Sequence, residues 1–130
     1  MFMKKICHIT LLLISCSQIM LAQDMRTLLK SMPEGIFPLL THNNVLDFID
    51  FLDSDMKAEV TNKLGGRSEM IQLTDSTATI KMTPSSEAEL RITKTDGKKL
   101  ICITHIYHTF TQSNSSVTHY DMDWTRKEEK

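Results

Sequence analysis

Apolar and polar positions follow two different periods along this chain, and the period changes near Gly65-Gly66. Before that point it is helical. Met25, Leu28, Leu29 and Met32 recur at i, i+3, i+4 and i+7, with Asp24 placed to cap a helix and Pro33 to stop it. A stretch with two prolines and a glycine (PEGIFPLLTHNN) then breaks the pattern. On a helical wheel Val45, Ile49, Leu52, Met56 and Val60 fall in one narrow arc, which predicts an amphipathic helix over 45–60. Asn44 with Asp47 resembles a capping box, and Gly65-Gly66 supplies the stop, so the helix is expected to end near Lys63. Ile49, Leu52 and Met56 are its expected contacts with the rest of the fold.

After Gly66 the period is that of strands, over 69–73, 77–82, 88–94, 99–110 and 117–124. Asp96-Gly97 is the sharpest turn signal, because a type I′ hairpin needs positive φ at both central residues. That turn sets Ile92 opposite Ile101 and Leu90 opposite Ile103. A short loop around 83–86 is expected to lay Met82, Ile80 and Ala78 beside Ala88, Leu90 and Ile92. A longer loop over 111–116 would set Tyr107 against Tyr120 and Ile103 against Trp124. The predicted fold class is therefore α+β, with N-terminal helices packed on one face of an antiparallel meander sheet of about five strands. The other face is polar except for one stripe, Leu100, Cys102, Ile106 and Phe110, joined by Val117. Either that stripe is covered or it is a docking surface.

The first residues change where the protein is expected to work. Lys4 and Lys5 precede the apolar run ICHITLLLI, the pattern of an export signal too short to be a membrane span. Two cleavage sites compete. Leu13-Ile-Ser-Cys16 fits a lipobox that would lipidate Cys16, whereas Leu21-Ala-Gln-Asp24 fits ordinary cleavage, which the apolar continuity to Leu21 favours. The expected organisation is a signal peptide over 1–22, one domain over 23–124 and a charged tail over 125–130. The expected location is the periplasm or the outer membrane, with a lipid on Cys16 as the sole membrane link.

Composition excludes more than it suggests. The formal charge of −1 falls to about −3 once Lys4 and Lys5 leave with the signal, so there is no basic surface for nucleic acid. Cys102 is then the one remaining thiol, which leaves no internal disulfide, and its apolar run reads as that of an inert core thiol.

Two clusters suggest chemistry. Four aspartates, 47, 50, 53 and 55, crowd LDFIDFLDSDM, but the wheel sends them around the helix, as a solvated face and not a metal site. In the register above His108 faces His119 with Asp121 on the same side, a candidate zinc set among His105, His108 and His119 that no HExxH helix organises. Against it stands an ordinary pair of surface histidines. No GxSxG, GxxxxGK[ST] or GxGxxG is present, and nothing assembles a nucleophile, a base and an oxyanion hole. No cofactor is expected.

The strings MRTLLKSMPEGIFPLLTHNN, DFIDFLDSDMKAEVTNKLGGRSEMIQLTD, ICITHIY and YDMDW resemble an exported family of Bacteroides-type bacteria that is a domain of unknown function. The resemblance runs from Met25 to Trp124. It implies an exported α+β domain with no catalytic residue to carry over, and a short or C-terminally truncated member, because the family continues past the Trp124 position. The functional expectation is a non-enzymatic domain that binds a protein or ligand through the stripe. The alternative is a carrier of a hydrophobic ligand or lipoprotein, and a metal-dependent hydrolase comes last.

Intact mass spectrometry of the exported protein is expected to show a mature N-terminus after Ala22 or Gln23. A diacylglycerol adduct on Cys16 would establish the lipobox instead.

Overall fold

The computed structural model describes residues 24–128, so the expected signal peptide and Cys16 lie outside the described residues. Two helices lead into seven strands: α1 (Met25–Ser31), α2 (His42–Asp53), β1 (Glu59–Thr61), β2 (Arg67–Leu73), β3 (Thr77–Thr83), β4 (Ser86–Thr95), β5 (Lys98–His108), β6 (Ser113–Asp121) and β7 (Arg126–Lys127). All seven strands join one antiparallel sheet in chain order, each paired with its sequence neighbours. The expectation of about five strands under N-terminal helices is overturned. The described part is mostly sheet, and the two helices in it, of 7 and 12 residues, are short additions to the core and do not form a packed bundle.

The two added strands have local causes. The helix expected to end near Lys63 stops at Asp53, because Asp55 turns left-handed at φ 55°. Met56 N–H donates to the Phe51 carbonyl at 2.8 Å and Asp55 N–H to the Leu52 carbonyl at 3.2 Å, a Schellman close with aspartate where glycine is usual. The chain that leaves this stop is free to extend as β1, and Met56 points into solvent instead of packing on the sheet. At the other end Arg126 and Lys127, expected in an unstructured tail, pair with Tyr120 and His119 as β7.

The helix starts are chemically ordinary. The Asp24 carboxylate accepts the Thr27 N–H at 2.9 Å, as the sequence predicts. In α2 the cap is Thr41, whose hydroxyl accepts the Asn44 N–H while the Asn44 side chain accepts the Thr41 N–H, so the capping box starts three residues before the expected one. Met25, Leu28 and Leu29 from α1 and Val45, Phe48 and Ile49 from α2 are buried with Ala78, Ile80, Ala88, Leu90, Ile101 and Ile103 from the sheet. At roughly 1.5–3 kcal/mol per large apolar side chain, this shared burial is the main favourable term holding helices to strands.

One polar network sits inside the core near β1. Asn62 donates from its side chain to the Ser68 hydroxyl at 3.0 Å, and Ser68 donates to the Met82 carbonyl at 2.7 Å. The Asn62 side-chain oxygen accepts the N–H groups of Leu64 and Gly66, tying the β1–β2 turn in which Gly65 takes φ 81°. Gly65-Gly66 therefore belongs to a hairpin and not to a helix stop.

Registers separate local from distant information. Asp96 and Gly97 both have positive φ, at 51° and 76°, and Ile92 pairs with Ile101 and Leu90 with Ile103 as predicted. Between β3 and β4 the pairing is Ala78 with Leu90 and Ile80 with Ala88, two residues from expectation, with an irregularity between Lys81 and Thr83. Between β5 and β6 the shift is larger: Tyr107 pairs with Asn114 and Ile103 with Thr118. Thr109 and Gln112 close a tight loop, with the Thr109 N–H on the Gln112 carbonyl at 2.8 Å, so the chain returns sooner than the polar run suggested.

Trp124 consequently leaves the sheet. It sits in the β6–β7 turn at φ 67°, an unfavourable conformation for a bulky residue, yet its side chain is buried. Its indole N–H donates to the Leu28 carbonyl at 3.0 Å, and its ring lies 5.8 Å from that of Tyr120. Leu28 is in the last turn of α1, where carbonyls lack backbone partners, and its oxygen accepts from both the Ser31 hydroxyl at 3.1 Å and the indole.

Trp124→Phe keeps most of the packing and removes the donor; it is expected to lower unfolding free energy by about 1–2 kcal/mol in denaturant titration. Asp24→Ala is expected to cost about 0.5–1 kcal/mol at neutral pH. Because the Thr27 N–H holds the Asp24 carboxyl below its ordinary 3.8, that contribution is present above pH 3.8 and lost as pH falls through the lower folded value. The difference between wild type and variant should therefore close in strong acid.

Candidate functional site

The β5–β6 pair carries the exposed aromatic side chains at its hairpin end and an exposed valine further along β6. Phe110 stands in the 109–112 loop with relative exposure 111%, Tyr107 is 50% exposed at the end of β5, and Val117 is 46% exposed on β6. Strand alternation puts Ile106 and Val117 on the outer face and Tyr107 on the core face, so apolar surface wraps the tip from both sides.

The expected stripe is thus divided. Leu100 is buried, with Asp121 beside it in the register, and Cys102 is a half-buried free thiol opposite His119. Ile106 is half-buried, opposite Ser115. Phe110 is not on the strand at all. The part of the stripe open to a partner is Ile106 and Phe110 toward the hairpin end and Val117 in the middle of β6.

The register separates the candidate zinc set. His108 pairs with Ser113, whereas His119 lies opposite Cys102, six positions away along β5 and roughly 20 Å at strand spacing. His108 instead shares a 2.7 Å hydrogen bond with the Ser113 hydroxyl and lies 4.0 Å from Glu87. Asp121 sits among lysines, 3.2 Å from Lys98 and 3.9 Å from Lys127. Among the described residues no three His, Cys, Asp or Glu side chains gather to hold a metal ion. The four aspartates of LDFIDFLDSDM are all exposed, and Asp53 pairs with Arg26 of α1. They are a solvated surface.

A shallow cleft adjoins the tip on the core face. Its volume is about 200 Å³, and Phe37, Leu39, Met82, His105 and Tyr107 line most of it. The His105 ring meets Phe37 edge-on at 5.9 Å and stacks near Tyr107 at 6.4 Å. Burial among these groups lowers the His105 pKa below its usual 6.5, so the ring is held neutral. The sequence reading missed this group, although the signal was available: His105 shares the parity of Ile103 and Tyr107 and so must lie on the core face. What the arrangement offers is a small apolar socket beside an exposed aromatic tip, with no base positioned against a nucleophile.

No helix among the described residues is long and apolar enough to cross a membrane. No curated protein matches the sequence. A solved structure of a domain of an uncharacterized protein from Porphyromonas gingivalis W83 has a similar fold, with a TM-score of 0.67 and 17% identity over 83% of this chain. This chain spans 55% of the length of that one. The family described as "Protein of unknown function (DUF3256)" matches residues 17–130, and the chain belongs to that family.

Proposed function

We propose that this chain is an exported, non-enzymatic binding domain that works in the periplasm or at the outer membrane and holds a protein partner at its β5–β6 hairpin end. One observation carries the reading: a fully exposed phenylalanine stands at the tip of the β5–β6 hairpin, with Tyr107 and Ile106 near the end of β5 and Val117 further along β6. Exposed aromatic side chains on a fixed scaffold supply contact area at small entropic cost, which is what an interaction anchor requires. The neighbouring cleft supports a protein partner over a carrier role. At about 200 Å³ it lies below the range of roughly 300–1,000 Å³ for small-molecule sites. It suits one apolar side chain of a bound protein better than a whole lipid. The export reading is supported by the basic start and apolar run of residues 4–14.

A photoreactive benzoylphenylalanine at position 110, expressed in the exporting bacterium, should yield a discrete covalent adduct on irradiation. The same probe at Leu64, which is 82% exposed in the β1–β2 turn at a distance from the hairpin, should not. Equal labelling at both positions, or none at 110, would remove the case for this site.

A further inference from the structure

A cleft that takes a partner's side chain, as the binding reading requires, selects that side chain by the groups on its walls. Here the walls are set in advance. In the strap between α1 and α2 the Leu40 N–H bonds the Phe37 carbonyl at 3.0 Å. The Lys63 N–H bonds the Leu39 carbonyl at 2.9 Å, which ties the strap to the β1–β2 turn. Phe37 and Met82 are buried. A ligand entering such a cleft is spared the cost of ordering it.

Four polar side chains stand on the walls: Ser86, Glu87, His105 and Tyr107. Three of them are accounted for. The Ser86 hydroxyl shares a 2.8 Å hydrogen bond with that of Thr83, and Glu87 lies 4.0 Å from His108 of the outer face. Tyr107 is half exposed to water. His105 is the exception. It pairs with the buried Ala88 on the core face, where an apolar residue would pack without polar cost. Its ring nitrogens make no hydrogen bond to any described residue and are not sealed from solvent. Water can serve them while the cleft is empty. A plain hydrocarbon seated over the ring would strip that water and give nothing back, so an occupant with a polar end is favoured over one without.

Charge and size narrow the class further. No lysine or arginine lines the cleft, so a carboxylate would find no counter-charge. Burial holds the His105 ring neutral, with one nitrogen a donor and the other an acceptor. A hydroxyl both donates and accepts, so it serves whichever nitrogen it meets. A cavity of roughly 150 Å³ takes benzene. At about 200 Å³ this one takes a single substituted ring. The edge-on Phe37 and the Met82 thioether suit an aromatic body. A phenol meets all of these conditions.

We infer that the cleft seats a tyrosine side chain of the bound partner, with its ring against Phe37, Leu39 and Met82 and its hydroxyl hydrogen-bonded to His105. This seat rests on the reading that the hairpin end binds protein, and p-cresol, which is that side chain alone, tests it without the partner. In NMR titrations of the full exported chain at neutral pH, p-cresol is expected to shift the His105 ring resonances saturably at about millimolar concentration. Toluene should bind about fivefold or more weakly, the worth of one hydrogen bond. His105→Phe keeps a ring and removes the nitrogens. It should bind both compounds within about twofold of each other, with the far-UV circular dichroism of wild type. Wild-type protein that takes toluene as well as p-cresol overturns the seat whatever the variant does, as does saturation centred away from the cleft. The crosslink at position 110 tells the two levels apart. Crosslinking without p-cresol binding refutes the tyrosine seat and keeps the hairpin anchor, whereas p-cresol binding without crosslinking supports the seat and removes the anchor.

Discussion

The hydrogen bond from the Trp124 indole to the Leu28 carbonyl joins the two ends of the described chain, 96 residues apart in sequence. Its consequences spread in both directions. On one side it completes the last turn of α1, which at seven residues is too short to hold itself together. On the other it fixes the β6–β7 turn, with Trp124 in a strained left-handed conformation that only a strong side-chain anchor compensates. Because β6 enters that turn directly, the same anchor keeps the last long strand from sliding along β5. Burial of Met25, Leu28 and Leu29 against the sheet then has a defined geometry, and the core closes around it.

A meander built this way has two edges and one exposed hairpin end, and the chain treats the edges differently. Around β1 every device that blunts an edge is present: short length, charge, and capping of its backbone groups by α2 and the preceding loop. At the other edge the cover is the two-residue β7, whose Arg126 and Lys127 pair with Tyr120 and His119. In a sheet ordered along the chain the first and last of the described strands, β1 and β7, are the edges. Phe110 and Tyr107 place exposed aromatic surface at the β5–β6 hairpin end. The four aspartates, conspicuous in the sequence, are solvent-facing, and the histidines are parted, with His105 on the core face and His108 and His119 far apart along the β5–β6 pair.

How much of this was legible beforehand depends on the range of the interaction. The α1 helix with its Asp24 cap, the Asp96-Gly97 hairpin and the facing of each β-strand residue are set by neighbours within a few positions, and they emerge from pattern alone. Even the mistaken register between β5 and β6 was off by an even number of residues, so the side of the sheet assigned to Tyr107, Ile106 and Val117 survived. Parity is a local property. The end of α2 was missed because aspartate, not glycine, takes the left-handed position after Ser54. β1 and β7 were missed because strands of three and two residues carry no period of their own and exist only through their partners.

The candidate site divides along the same line. The sequence by itself determined that one face of the sheet is apolar and that Ile106 and Val117 lie on the other, because side-chain alternation follows from covalent geometry. Tertiary structure decided everything that depends on sliding one strand against another. It buried Leu100, placed Phe110 on the loop, and set His119 beside Cys102 and away from His108. The 109–112 turn sets the β5–β6 register through a backbone bond that the residue types there do not signal, and Trp124 docks on Leu28 from 96 residues away, a contact that no local period encodes.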